Sequence, residues 1–250
     1  MVKYDITLDG VSAEDAGIMF LSSLNLSEPV PRVTVYSVPG RNGDVHIYDG
    51  SFKNRTATID GCLYREDFVK SKFAAVNAWL FGTLGYRKLK TDDDPTHYLM
   101  ARITNGPEIA AKARKVAPFR IKFDCKPQRY LTSGDLPISV TSYGIYFNSP
   151  SAFPSKPLLE INFNSKTAKG SLLFNGAEVS LDLLKVANYS KVFYDSETEV
   201  TYVVQDDNII HSYDGVIFNG ENATIQPGAN EVRFSGDITS LEIFPRWWDL

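Results

Sequence analysis

The sequence predicts a mainly β protein of two domains: residues 1–132, β-rich with one packed α-helix, and residues 133–250, an all-β sandwich. Three observations lead there. Short apolar/polar alternations recur along nearly the whole chain, punctuated by Gly, Pro, Asn-Gly and Asp-Gly turn signals. Aromatic residues make up 12% of the chain (Tyr 13, Phe 15, Trp 3) among frequent Val, Ile and Thr, a mixture that suits pleated, half-buried surfaces. Charge also divides near residue 130. Residues 1–130 carry 19 Lys and Arg against 15 Asp and Glu, and residues 131–250 carry 7 against 15, so the halves are +4 and −8.

Taken in order, Tyr4, Ile6 and Leu8 alternate to one side and Asp9-Gly10 turns the chain. Ser12, followed by Glu14 and Asp15, reads as the N-cap of one short helical turn. Strands are expected at 18–21, 33–38, 45–48 and 56–63, with Ala57, Ile59, Gly61 and Leu63 on one face of the last. Val69, Phe73, Val76 and Leu80, widened by Trp79, form a stripe at helical spacing, so a helix is expected near 66–81. Glu66 and Asp67 suit its positive N-terminal end, and Gly82 lies where a residue past the C-terminus would stop it. Strands resume at 86–89, 97–103 and 116–124. The Pro-, Gly- and Ser-rich run 126–144 reads as a linker.

Beyond it the pattern is almost purely β. Leu159, Ile161 and Phe163 alternate, and 172–181 is a hairpin whose Asn175-Gly176 suits a turn needing positive φ at both central residues. Further strands are expected at 192–194, 200–204, 216–218, 230–234 and 240–244, with turn signals at the spacing of a sandwich.

The composition bounds the function. The apolar fraction is 43%, enough for a real core, and the net charge of −4 leaves no basic footprint for nucleic acid. Cys62 and Cys125 lack a CxxC partner and read as buried thiols of a reducing compartment. The sequons at Asn25, Asn54, Asn188 and Asn222 lack secretory context. The N-terminus reads as an alternating strand rather than a secretory signal, and no window approaches the roughly 18 apolar residues of a membrane span.

Chemistry is hard to find. His46, His97 and His211 have no metal-ligand spacing to Cys or carboxylate, and no cofactor is expected. Asp92-Asp93-Asp94 before Pro95 reads as a solvated turn rather than a cation or glycosidase carboxylate site, and Asp206-Asp207-Asn208 lacks the ligand spacing of a calcium loop. Nucleophile-elbow, phosphate-loop and dinucleotide glycine patterns are absent, and the glycines of PGRNGD precede more alternation instead of a helix. Lys112, Arg114 and Lys115 read as an exposed edge or loop. In the closing SLEIFPRWWDL, Trp247 and Trp248 would face opposite sides of a strand. One would close a core and the other pack at a domain or subunit boundary; a sugar-stacking Trp is the alternative.

The stretches VPGRNGDVHIYDGSFKNRTATIDG (38–61), AAVNAWL (74–80) and YRKLKTDDDPTHYLMARI (86–103) are followed by SLLFNGAEVSL, VFYDSETEVTY, IQPGANEVRFSGDITSLEI and PRWWDL. In this order and spacing, over essentially the whole chain, they resemble the distal tail protein family of long-tailed bacteriophages, the Dit-type tail-tip hub proteins. The resemblance implies a barrel-like N-terminal domain and a galectin-like C-terminal sandwich, with no enzymatic activity. It implies a homo-hexameric ring in the virion, assembled in the host cytoplasm. The ring would sit between the tail tube protein and the tail-associated fibre or hub protein, touch receptor-binding protein or host glycan, and let DNA pass as cargo. On this reading the hairpin within 39–50 and nearby charges form the assembly surface: Arg41, Asn42, Lys53 and Arg55, with the edge group Lys112, Arg114 and Lys115. Trp247 and Trp248 are packing or interface candidates. The alternative function is glycan-binding adhesion through the C-terminal sandwich.

Overall fold

The computed structural model describes residues 4–64, 73–105, 116–141, 144–164, 169–186, 188–205, 208–212, 217–220 and 223–250. The chain is mainly β. It divides into two compact units, Met1–Arg129 with Leu250, and Tyr130–Asp249.

In the first unit the elements are β1 (Ile6–Leu8), β2 (Val11–Ser12), β3 (Ile18–Phe20), β4 (Asn25–Leu26), β5 (Pro31–Tyr36), β6 (Val45–Phe52), β7 (Arg55–Tyr64), α1 (Phe73–Phe81), β8 (Arg87–Thr91), β9 (Asp94–Asn105) and β10 (Val116–Leu131). One sheet runs in the order β2-β1-β8-β9-β10-β7-β3, with β4 also on β7, and curls into half a barrel. Its inner face follows the period of two. Phe119, Ile121, Phe123 and Cys125 of β10 are buried, while Arg120 and Lys122 between them face water. Ala57, Ile59 and Leu63 of β7 join the same core, and Val76, Trp79 and Leu80 of α1 cover it. Trp79 keeps its Nε1–H satisfied by donating to the Val11 carbonyl at 2.9 Å.

Three expectations need correction or restriction. Ser12 ends β2 and caps a turn, not a helix: its Oγ accepts the Glu14 N–H at 3.0 Å. Glu66, Asp67 and Val69 lie outside the described residues, and α1 is seen from Phe73. Gly82 does end α1, but by contact: its N–H donates to the Ala78 carbonyl, and a Cβ there would stand 2.4 Å from that oxygen. The run read as a linker does contain the division between the units, after Arg129, but as strand instead of loop. Strand β10 continues through Leu131, Pro127 included, before a 3-10 turn at Thr132–Asp135. Its Pro and Gln hide the fact that Cys125 and Tyr130 are buried, so packing overrides local composition.

The second unit adds β11 (Ile138–Val140), β12 (Gly144–Ser149), β13 (Leu158–Phe163), β14 (Lys169–Phe174), β15 (Ala177–Asp182), β16 (Lys191–Asp195), β17 (Val200–Gln205), β18 (Asn208–Ser212), β19 (Ile217–Gly220), β20 (Gly228–Gly236), β21 (Ile238–Phe244) and β22 (Trp248–Asp249). Two sheets, β11-β21-β13-β16-β17-β18 and β12-β20-β14-β15-β19, enclose one core. Leu159, Ile161 and Phe163 enter it from the first sheet, and Leu172, Phe174, Val179 and Leu181 from the second.

Candidate functional site

Strands β5 and β6 form a two-stranded sheet that no third strand joins among the described residues. An isolated hairpin is marginal in water, so its placement depends on its root. That root is heavily hydrogen-bonded. Ser27 N–H donates to Thr56 O at 2.9 Å, Thr56 N–H returns to Ser27 Oγ at 3.0 Å, and Lys53 N–H reaches Val30 O at 2.8 Å. Asn54 Nδ2, just before β7, donates to Tyr86 Oη at 2.7 Å and to both oxygens of Asp124 on β10 at 3.0 Å. Tyr86 Oη and Arg102 Nε also donate to Asp124, at 2.9 and 2.8 Å. Burial pushes the Asp124 carboxyl up, but the bonds from Arg102, Tyr86 and Asn54 outweigh it and hold the group below its ordinary value.

Beyond this root the hairpin, hereafter the arm, is apolar and bare. Register pairs Val33 with Tyr48, Thr34 with Ile47, Val35 with His46 and Tyr36 with Val45. Val33, Val35 and Tyr48 therefore share one face, and Tyr36, Val45 and Ile47 the other. Tyr48 is 63% exposed, and Val35, Tyr36 and Ile47 are each more than half exposed. A ribbon apolar on both faces is the pattern of a strand pair covered on both sides.

The turn signals of 39–50 are used differently from the expectation. Pro39-Gly40 and Asn42-Gly43 share one long loop between β5 and β6, with Gly40 and Gly43 at φ 82° and 79°. Asp49-Gly50 lies inside β6, where the register slips: Gly50 takes φ 81° and Asp49 Oδ1 accepts from Ser51 N–H and Oγ at 2.8 and 2.7 Å.

The predicted site residues separate. Arg41 and Asn42 are exposed at the tip of the arm, and Lys53 is exposed at its root. The eight residues of β6 between them span roughly 25 Å, so they form no common charged patch. Arg55 is a correction. It is 6% exposed, its Nε donates to Ser27 O at 2.7 Å, and it braces the root instead of offering surface charge, because it enters β7 pointing inward. Lys112, Arg114 and Lys115 lie outside the described residues. Charge drew attention to this stretch, yet the exposed apolar residues were missed. The signal was present: VTVY and VHIY place apolar residues on both faces, where a half-buried strand would alternate.

Trp247 and Trp248 are both half-buried within the second unit. The Trp248 ring stacks on Phe153 at 4.5 Å and 13°, its Nε1 donates to Pro154 O at 3.0 Å, and its carbonyl accepts from Ser151 Oγ. Arg246 precedes them at φ 54° and grips Asp195 with two bonds of 2.8 and 2.9 Å. Burial raises the Asp195 carboxyl, and Arg246 more than offsets that.

Asp92 and Asp93 form the β8–β9 turn, and Asp94 opens β9. Asp94 accepts from Thr96 Oγ1 and Arg129 Nη2 at 2.9 and 2.6 Å and lies 2.9 Å from His97 Nδ1. Burial works against its charge, but His97, Arg129 and Thr96 prevail and bring its pKa to about 2. The cluster flanks a cavity of about 130 Å³ walled by Leu24, Leu26, Leu89 and Leu99. Among the described residues no group of three His, Cys, Asp or Glu could hold a metal ion, and no helix is long and apolar enough to cross a membrane.

No protein-family model matches the chain, and no curated protein matches it in sequence. Solved structures do share its fold. The Dit protein of phage SPP1, described as a paradigm of the hub adsorption apparatus in phages infecting Gram-positive hosts, aligns with a TM-score of 0.62 at 10% identity. The alignment covers 96% of this chain and 98% of that one. Chains of the phage p2 baseplate in its activated conformation align with TM-scores of 0.54 in the strontium form, covering 96% and 97%, and 0.55 in the calcium form, covering 97% and 98%. Their identities are 10% and 11%.

Proposed function

From this shared fold as premise, we propose that the chain is a Dit-type distal tail hub protein of a long-tailed phage. Its role is structural, not enzymatic. Copies form a hexameric ring that joins the tail tube to the fibre or hub proteins of the tail tip, and DNA passes through the opening. The protein is a virion component made and assembled in the host cytoplasm. The observation that carries the reading is end-to-end agreement with SPP1 Dit, over 96% of this chain and 98% of that one. Both units match in sequence order, which a chance likeness between single β-domains does not require. The arm supports assembly, since a rooted ribbon apolar on both faces calls for partners. Mass measurement in solution with negative-stain imaging tests the proposal: six copies around a central hole are expected, and a monomer that forms no ring at high concentration overturns it.

One observation favours glycan adhesion as a second role. Tyr146 on β12 is 74% exposed, yet its hydroxyl is held by Glu231 and by Arg233 Nη2 at 3.3 Å. A fixed, exposed ring beside an acid and a guanidinium suits a sugar face. Glycan-array binding by the full chain that Tyr146→Ala abolishes would support this role; a clean negative would leave pure scaffolding.

A further inference from the structure

Tyr146 belongs to a larger arrangement on the outer face of the β12-β20-β14-β15-β19 sheet. Register sets Tyr146 beside Glu231 and Gly144 beside Arg233, then Arg233 beside Leu173 and Leu173 beside Glu178. These positions face away from the core, because Val232, Phe234, Leu172 and Val179 alternate with them and are buried. Gly144 makes room for the cluster. A Cβ there would stand 2.8 Å from Arg233 Cγ, so the glycine lets the arginine lie across β12. From there Arg233 Nη2 donates to Tyr146 Oη at 3.3 Å and Nε to Glu231 Oε1 at 2.7 Å. Tyr146 Oη donates to that same oxygen. Glu231 Oε2 and Arg233 Nη1 take no part in these bonds, which leaves one acceptor and one donor beside a fixed, exposed ring.

We propose that this face binds uncharged hexopyranoses of a repeating surface polysaccharide and excludes phosphate- and carboxylate-bearing ones. The inference rests on the adhesion reading above and names its ligand class. The apolar C–H face of a pyranose stacks on the Tyr146 ring. One hydroxyl of a neighbouring pair donates to Glu231 Oε2, and the other accepts from Arg233 Nη1. An anion meets the opposite conditions. The Arg233 charge is already compensated by Glu231, which the bond from Tyr146 and then that from Arg233 hold below its ordinary value and so ionised. Glu178 adds a second negative charge across Leu173, and residues 131–250 carry 15 Asp and Glu against 7 Lys and Arg. One ring on an open face holds a single sugar weakly, so contact at several repeats supplies the affinity.

The test reads the full chain on an array of neutral hexose, deoxyhexose and N-acetylhexosamine chains, their uronate counterparts and poly(glycerol phosphate). Signal is expected only on neutral chains, weakened about tenfold by Tyr146→Ala with unchanged circular dichroism. Gly144→Ala, which displaces Arg233, should weaken it as well. Glu231→Gln uncovers the Arg233 charge and should shift binding from neutral chains toward the polyanions, an exchange that a merely structural carboxylate would not produce. Capture of the polyanions by the native protein, lost in Tyr146→Ala, would overturn the ligand class and leave adhesion standing. Neutral binding that Tyr146→Ala does not change would overturn the site. Binding to no chain at all removes the adhesion reading as well.

Discussion

Two hairpins in this chain contain Asn-Gly, and they came out opposite. In β14–β15 the alternation is strict: Leu172, Phe174, Val179 and Leu181 are buried, and Glu178 and Ser180 point outward. Asn175 and Gly176 both take positive φ, 51° and 90°, so the two-residue turn fixes the register that the core requires. In the arm, Asn42-Gly43 is part of a longer loop in which only the glycines take positive φ, and apolar residues occupy both faces. The same dipeptide therefore closes a structural hairpin in one place and tips a projecting ribbon in the other. Placement on a core decides which, and the difference separates residues that hold the fold from residues left exposed.

The comparison can be broken most sharply by truncation. Leu172→Ala, at a fully buried position, is expected to destabilise the protein by about 2–5 kcal/mol in urea unfolding. Ile47→Ala on the arm should change the stability of the monomer by less than about 0.5 kcal/mol and yet weaken assembly on size exclusion. Equal losses at the two sites would end the distinction.

A smaller effect is expected at the turns. Gly176→Ala forces a side chain to φ 90° in a turn coupled to the core and should cost about 1 kcal/mol. Gly43→Ala, at φ 79° with open space around it, meets similar local strain, but it lies in a loop whose residues are all exposed. Global unfolding should therefore hardly register it, whereas hydrogen exchange of the loop should.

The smallest effect concerns pH. Asp124 is held below its ordinary value in the folded chain, so its stabilisation of the arm root is complete above the unfolded carboxyl pKa of about 3.9. It is lost as pH falls through the folded value. Exchange of residues 30–55 should rise under acid while that of β14–β15 does not, and Asp124→Asn should remove the acid dependence. A pH-independent arm in the native protein would show that the carboxylate does not anchor it.

Much of this was legible in advance because it is periodic. The inner faces of β1, β7 and β10, and the hairpin at Asn175-Gly176, follow from alternation and turn chemistry alone. What escaped was set by neighbours distant in sequence. Arg55 reads as a surface charge until Ser27, 28 residues earlier, places a carbonyl beside its Nε. Residues 126–131 read as linker until burial of Cys125 and Tyr130 makes them strand.

By itself, then, the amino-acid order determined a mainly β chain with a helix stripe through Val76 and Leu80 and a family resemblance later matched by fold. Each of these rests on local spacing or local turn preference. Only the tertiary structure decided that the stretch from Pro39 to Phe52 stands off the core, and that Arg55 is buried at its root. The reason is physical. Alternation tells which residues share a face, but whether that face meets a core or water is settled by the rest of the chain.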